Sequence, residues 1–221
     1  MFGLDDRIAT FSDGTTLLVV AIVAVVLGLR HASDPDHLAA VTTLIASGKD
    51  RAARSAGRLG FVWGLGHATS LFVFGLPIVL YRAYLPEPVQ RGAETAVGVM
   101  IVVLALALLR RHRHASHVHR SRTPLKAYTI GLVHGTGGSA GVGVLLLASI
   151  RSHGLAVASL AVFALCTAVS MAVLSGGFGL TLSRPVVRRR FAKLAPAVGL
   201  ASLAFGIWYA LGAQNLVPYA F

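Results

Sequence analysis

The sequence Arg30-His31-Ala32-Ser33-Asp34-Pro35-Asp36-His37 gathers two histidines, two aspartates and an arginine within eight consecutive residues. Apolar runs flank this segment on both sides, Val19–Leu29 before it and Leu38–Ala46 after it. Together they form one predicted membrane span, Thr16–Ser47, which would measure about 48 Å as a continuous helix. That exceeds the roughly 30 Å of bilayer hydrocarbon. Because Pro35 removes a helical hydrogen bond, we expect the first helix to be broken near it, with the polar residues at the break.

The composition outside this segment is that of a membrane protein. Of the 221 residues, 55% are hydrophobic and 13% are charged, and the mean hydropathy is +0.73. Soluble domains carry about 25% charged residues, so a soluble globular enzyme is excluded. The net charge of +12 does not indicate nucleic-acid binding, because the basic residues lie in short clusters between apolar runs. The single cysteine, Cys166, permits neither an intramolecular disulfide nor a thiolate zinc cluster.

Five further apolar runs follow the first. We therefore predict an all-α polytopic membrane protein with six transmembrane helices, forming a single transporter domain over residues 1–221. The acidic N-terminal segment lacks the basic start of a signal peptide, so the first span is expected to be retained. The predicted spans are Thr16–Ser47, Leu59–Tyr81, Ala93–Leu109, Tyr128–Ile150, Leu155–Leu182 and Leu194–Ala213.

Basic residues alternate between the predicted loops. The connections after the first, third and fifth spans hold four, six and five Lys or Arg residues, which is fifteen of the twenty in the chain. The positive-inside rule places these three loops in the cytoplasm and both termini outside, in a multi-pass protein of the inner (cell) membrane.

A short internal similarity relates the first and fourth spans. Gly28-Leu29-Arg30-His31 resembles Gly131-Leu132-Val133-His134 at an offset of 103 residues. Since the two spans would cross the membrane in opposite directions, a true relationship would make residues 16–109 and 128–213 an inverted 3+3 repeat, as in many transporters. A match this short in Gly- and Leu-rich sequence also arises by chance, so both interpretations stay open.

The first-span segment has the chemistry of a metal site. On a helix, His31, Asp34 and His37 share one face, and unwinding at Pro35 would turn Asp36 inward. Two imidazoles with one or two carboxylates suit nickel, cobalt or zinc. Ionisable groups at the bilayer centre cost at least about 2.5–3.5 kcal/mol each, so they are rarely incidental. The alternative is a buried His–Asp network that only holds helices together.

Two other groups of histidines are candidates. His67 and His134 lie in spans among small residues that let helices approach closely, and each is either a ligand, a helix-to-helix hydrogen bond or a coupling residue. The glycine-rich stretch 135–143 predicts a second break that faces the first. The loop 110–126 is either a low-affinity metal chelator near the cytoplasmic mouth or a basic surface facing anionic lipid. Its histidines are His112, His114, His117 and His119.

The His31–His37 segment resembles the nickel/cobalt permease family, the high-affinity nickel transporters. Their signature is His-x4-Asp-His in an Arg-His-Ala-x-Asp-x-Asp-His setting, which Arg30–His37 reproduces. Leu38–Val41 and Gly66-His67 are also similar to family sequence, and His134–Gly141 is similar to a short, urease-accessory-like branch. This chain differs in having six predicted spans rather than about eight, and in having no acidic residue after Glu94. The resemblance implies a metal permease with His31, Asp34, Asp36 and His37 as its selectivity site.

We therefore predict a secondary transporter, not an enzyme, with Ni2+ or Co2+ as its transported substrate, no prosthetic group, and uptake as the favoured direction. The absence of a nucleotide-binding motif from the sequence argues against ATP hydrolysis by this chain. Three alternatives stay open: efflux through the same site, an intramembrane metalloenzyme, and a non-transporting accessory protein for urease assembly. The expected partners are the metal ion and the lipid bilayer, without nucleic acid, and homo-oligomerisation is left undecided.

Overall fold

The computed structural model describes residues 18–19, 21–46, 53–81, 86–113, 123–137, 144, 147–148, 150 and 152–218. Within these ranges the only regular secondary structure is helix. Val144, Leu147 and Ala148 are also helical and buried. The helices are α1 (Ala21–His31), α2 (Pro35–Ala46), α3 (Ala53–Tyr81), α4 (Glu87–Arg113), α5 (Pro124–His134), α6 (His153–Ser183) and α7 (Pro185–Ala213).

Four helices of the described part are long and apolar enough to cross a membrane, namely α3, α4, α6 and α7. They correspond to the second, third, fifth and sixth predicted spans. The helix α1 is apolar but shorter. The described part of the chain is therefore all-helical and that of a multi-pass membrane protein, as the composition predicted. The predicted first and fourth spans differ from the other four because each is interrupted.

The first interruption lies between α1 and α2. The Ser33 N–H donates to the Arg30 carbonyl (2.9 Å) and the Asp34 N–H to the His31 carbonyl (3.1 Å), so the chain leaves α1 through tight i→i+3 turns. Pro35 has no N–H to donate and is accommodated as the first residue of α2. The predicted break near Pro35 is confirmed.

The second interruption follows α5. This helix ends at His134, and the Gly135 N–H donates to the Gly131 carbonyl at 2.8 Å. A turn continues through Gly137, whose N–H donates to the His134 carbonyl at 3.2 Å. The remainder of the predicted glycine-rich break, residues 138–143, lies outside the described residues. Both α1 and α5 thus end at the histidine of the repeated Gly-Leu-x-His sequence.

The helices α3 and α5 pack backbone against backbone. A Cβ atom added at Gly131 would overlap the Trp63 carbonyl oxygen and lie 2.9 Å from the His67 amide nitrogen. A Cβ added at Gly66 would likewise overlap the backbone of α5. Only glycine permits this approach, and it brings His67 and the end of α5 to the same place.

Glycines also set the spacing of the other helix pairs. A Cβ at Gly28 would lie 2.8 Å from Cys166 Cβ, so α1 packs closely on α6. A Cβ at Gly98 would lie 2.8 Å from the Ala210 amide nitrogen, so α4 packs closely on α7. The shorter helices α2 and α5 both contact α4. The two interrupted spans are therefore held among continuous helices.

Replacing Gly131 by alanine is expected to destabilise the protein, because the added methyl group meets backbone that cannot rotate away. Overpacking of this kind costs about 1–3 kcal/mol, which a thermal unfolding curve in detergent would detect. Gly177→Ala is the matched control, since it lies within α6 with nothing within 4 Å of the added Cβ. Equal unfolding temperatures for the two variants would contradict the close approach of α3 and α5.

Candidate metal centre

Five of the six predicted intramembrane site residues are buried together. His31 ends α1, Asp36 and His37 lie in the first turn of α2, His67 lies in the middle of α3, and His134 ends α5. The first interruption places two aspartates and two histidines within seven consecutive residues. The second places His134 opposite them. The exposed fractions are 4% for His31, 3% for Asp36, 1% for His37, 1% for His67 and 0% for His134.

His31 joins the first interruption to α3. Its Nδ1–H donates to the Asp34 carboxylate at 3.1 Å, and its Nε2 lies 2.9 Å from His67 Nε2. In a neutral imidazole only one nitrogen carries a proton, so this geometry assigns a lone pair to His31 Nε2 and makes His67 the donor. Asp34 is therefore placed behind His31, where it orients the ring rather than facing the centre.

Asp36 joins α2 to α5. One carboxylate oxygen accepts from His37 Nδ1 and the other from His134 Nε2, both at 3.1 Å. These donations leave the second nitrogen of each ring with a lone pair. Among the described residues, three such buried nitrogens have no hydrogen-bond partner: His37 Nε2, His67 Nδ1 and His134 Nδ1. A buried acceptor without a donor is costly, and a metal ion satisfies it by accepting the lone pair.

The ligand atoms form two overlapping groups of three. His31, His37 and His67 make one group, and Asp36, His37 and His134 make the other; within each, the ligand atoms lie within 4.8 Å of one another. Metal–imidazole bonds are about 2.0–2.1 Å long, so the ligands of one ion lie within roughly 4.2 Å of each other. Small side-chain movements therefore suffice for either group to hold an ion. His37 belongs to both groups.

Two aromatic side chains that sequence reasoning missed form walls of this centre. The Trp63 ring lies 5.4 Å from the ring of His134 and 6.0 Å from that of His37, measured between centroids. Phe163 of α6 lies 5.8 Å from His31. Both aromatic side chains are 1% exposed, so they help to exclude water from the ligands. Trp63 precedes His67 by four residues, and this helical spacing was the available signal.

The histidines of the basic loop are not part of this centre as far as the chain is described. His112 lies in the last turn of α4, where its backbone is described but its side chain is not. His114, His117 and His119 lie outside the described residues.

The fold and the site together define a helical membrane protein with a buried His/Asp centre where two helices are interrupted. Residues 17–110 match the family model NicO, described as a high-affinity nickel-transport protein. This match includes the His31–His37 segment and confirms the resemblance to the nickel/cobalt permease family. Residues 17–110 are thus similar to a metal-transporter family rather than to an enzyme family.

Individual relatives extend the similarity over most of the chain. The urease accessory protein UreH of Bacillus sp. (strain TB-90) is 27% identical over 214 residues, covering 89% of this chain and 92% of that protein. A candidate nickel/cobalt efflux system of Methanocaldococcus jannaschii is 25% identical over 196 residues, covering 86% and 92%. The cobalt transport protein NhlF of Rhodococcus rhodochrous is 33% identical over 83 residues, covering 38% and 23%. No solved structure matches the chain.

Replacing His37 by alanine is expected to weaken Ni2+ or Co2+ binding more than any other single change, because both ligand groups lose a member. Asp34→Asn, which removes only the partner of His31, should cost about 10–100-fold in affinity, and His37→Ala more than that. Equilibrium dialysis of each purified variant in detergent measures its affinity for Ni2+ or Co2+.

His153→Ala is the matched control, since His153 is an exposed histidine at the start of α6 and its loss should leave the affinity unchanged. Binding that survives His37→Ala but disappears when residues 110–126 are deleted would assign the metal to the loop instead.

Proposed function

We propose that this protein is a nickel/cobalt permease that carries Ni2+ or Co2+ through the centre formed by His31, Asp36, His37, His67 and His134. The observation that carries the proposal is the pair of three-ligand groups buried where two helices are interrupted. The match of residues 17–110 to the high-affinity nickel-transport family supports the same function.

The donor set favours transition-metal ions. Four imidazoles and one carboxylate suit nickel, cobalt and zinc, whereas magnesium and calcium prefer sites made entirely of oxygen. No thiolate takes part, because neither ligand group contains Cys166. Asp36 supplies the negative charge that a buried divalent ion requires, and the aromatic walls keep competing water out.

The shared ligand supplies a path for the ion. An ion held by Asp36, His37 and His134 can pass to His31 and His67 while His37 remains bound. The ion then keeps at least one protein ligand throughout the transfer, which avoids its full rehydration inside the membrane. Transfer between overlapping groups at interrupted helices suits an alternating-access transporter, whose site lies near the bilayer midplane.

Proton coupling follows from the same ligands. Imidazole and carboxylate bind metal only when they are deprotonated, so protons compete with the ion. We infer that metal affinity falls on acidification and that an opposing flow of protons can drive transport, in keeping with a sequence that carries no nucleotide-binding motif.

We further propose six spans in one transmembrane domain, 1–221. The pair α1 and α2 forms the first span, and α5 with the helical residues Val144, Leu147 and Ala148 forms the fourth. Residues 16–109 and 128–213 are then inverted repeats, supported by the ends of α1 and α5 at equivalent histidines. The basic loops lie in the cytoplasm, both termini lie outside, and the membrane is the inner cell membrane.

Reporter fusions test this topology. Alkaline phosphatase, which is active only outside the cytoplasm, should be active when fused after Phe221 and inactive when inserted in the loop 114–122. A fluorescent protein inserted in the same loop should be fluorescent. An inactive C-terminal phosphatase would place an even number of crossings between the loop 114–122 and the C-terminus. The six-span arrangement, which has three crossings there, would then be wrong.

Proteoliposomes test transport itself. Vesicles with the wild-type protein should accumulate Ni2+ or Co2+, vesicles with His37→Ala should remain at background, and vesicles with His153→Ala should match the wild type. Accumulation should slow when the medium is acidified, because protons compete with the metal ion for the imidazole and carboxylate ligands. Binding in detergent without any flux would contradict the permease and favour an accessory role, as the name of the Bacillus relative indicates for that protein.

Uptake is the direction we favour, because a buried site with several nitrogen donors suits the capture of a scarce ion. Efflux is the second candidate, since the Methanocaldococcus jannaschii relative is named for it. Growth in toxic nickel separates the two directions: an importer sensitises the host cell, whereas an exporter protects it.

A further inference from the structure

Glu94 is a buried acidic residue outside the centre described above. It lies seven residues into α4, within the apolar span Glu87–Arg110, and is 5% exposed. Val97 and Ile101, about one and two helical turns further along, are both 0% exposed. The carboxylate therefore continues the inward-facing stripe of α4 and does not face lipid.

Its charge is not compensated by a basic group. The Gln90 side-chain amide donates to Glu94 Oε1 at 3.0 Å. The neighbouring Arg91 pairs with Glu87 instead. Across the described ranges, no Lys, Arg or His forms an ion pair with Glu94. A carboxylate inside a membrane domain is costly unless it meets a cation or a proton, and such residues mark ion pathways.

The hydrogen bond that Glu94 makes in the described structure does not hold two helices together. The bond between Gln90 and Glu94 lies within one helix, so it ties α4 to nothing else. The neighbouring Thr95 does tie helices together, because the Gln214 side-chain amide at the end of α7 donates to its hydroxyl at 2.7 Å. At this level of α4, the hydrogen bond to α7 is therefore made by an uncharged residue, Thr95.

Glu94 lies one helical turn from Val97, the residue of α4 that packs beside the metal centre. A Cβ added at Gly137 would lie 3.0 Å from Val97 Cγ2 and 3.4 Å from the His134 carbonyl oxygen, so Val97 packs on the turn that follows His134. Glu94 lies about 4.5 Å further along α4, toward the end of this helix that is remote from the basic loop.

We propose that Glu94 is a further binding station for the divalent cation, on the non-cytoplasmic side of the centre. The inference rests on the proposed permease function. A single carboxylate binds a hydrated divalent ion weakly, whereas imidazole nitrogens bind nickel and cobalt more tightly. The ion thus moves from a weak oxygen site to a strong nitrogen site. A charged residue beside the route also raises the local concentration of the cation.

Glu94→Gln is the test, because it keeps the shape of the side chain and removes its charge. In proteoliposomes at low metal concentration, the initial flux should fall about tenfold or more. The affinity of the central site, measured in detergent, should stay that of the wild type. Glu87→Gln, an exposed glutamate on the same helix, should transport normally, and Glu94→Asp should retain most of the flux.

Each outcome decides one point. Wild-type flux in Glu94→Gln overturns the station and leaves the permease standing. Loss of central-site affinity together with flux assigns Glu94 a structural role and also overturns it. A wild-type protein that binds metal but shows no flux refutes the permease, and the station with it.

Carbodiimide labelling of the wild-type protein tests the proposal even if the Glu94→Gln variant does not fold. Dicyclohexylcarbodiimide modifies carboxyl groups in apolar surroundings, and mass spectrometry locates the adduct in the wild-type protein. We expect Ni2+ or Co2+ to protect Glu94 from the reagent. Equal labelling with and without metal would overturn the station.

Discussion

The bridge that Asp36 makes between His37 and His134 is the interaction on which the site depends. It joins residues 98 positions apart in the chain and brings the start of α2 to the end of α5. A carboxylate in a membrane interior is stable only with such partners. Because both bonds come from imidazoles, each ring is left with a buried nitrogen that has no hydrogen-bond partner. The bridge therefore joins the two helices and also leaves the nitrogen donors that the proposed metal site uses.

This arrangement requires helices that stop inside the membrane and neighbours that come unusually close. Pro35 and the glycines after His134 interrupt the two spans, and hydrogen-bonded turns satisfy part of the backbone exposed there. The contact of Gly66 and Gly131 with facing backbone then places α3 within reach of α5. Any larger residue at these glycines would separate the histidines that form the centre.

Along the proposed route, the ligands come in order of increasing strength for nickel and cobalt. Glu94 offers oxygen, Asp36 offers oxygen among nitrogens, and His31, His37 and His67 offer nitrogen alone. Nickel and cobalt prefer the later sites over the earlier ones. A shared ligand at His37 keeps the steps between these sites short. Release on the far side then depends on protons or on the movement of the interrupted helices, because the tightest group would otherwise retain the ion.

The sequence alone determined the membrane-spanning helical class, the break near Pro35, and the candidate ligands from His31 to His37, because hydropathy and the missing proline N–H act locally along the chain. Only the tertiary structure decided which distant groups meet. His67 reaches His31 across 36 residues and His134 reaches Asp36 across 98. The structure also shows the hydrogen bond from His31 to Asp34 and the packing of Trp63 against the rings of His37 and His134, which no sequence motif predicted. These outcomes depend on how closely helices pack, and that distance is set by glycines on facing surfaces rather than by any single segment.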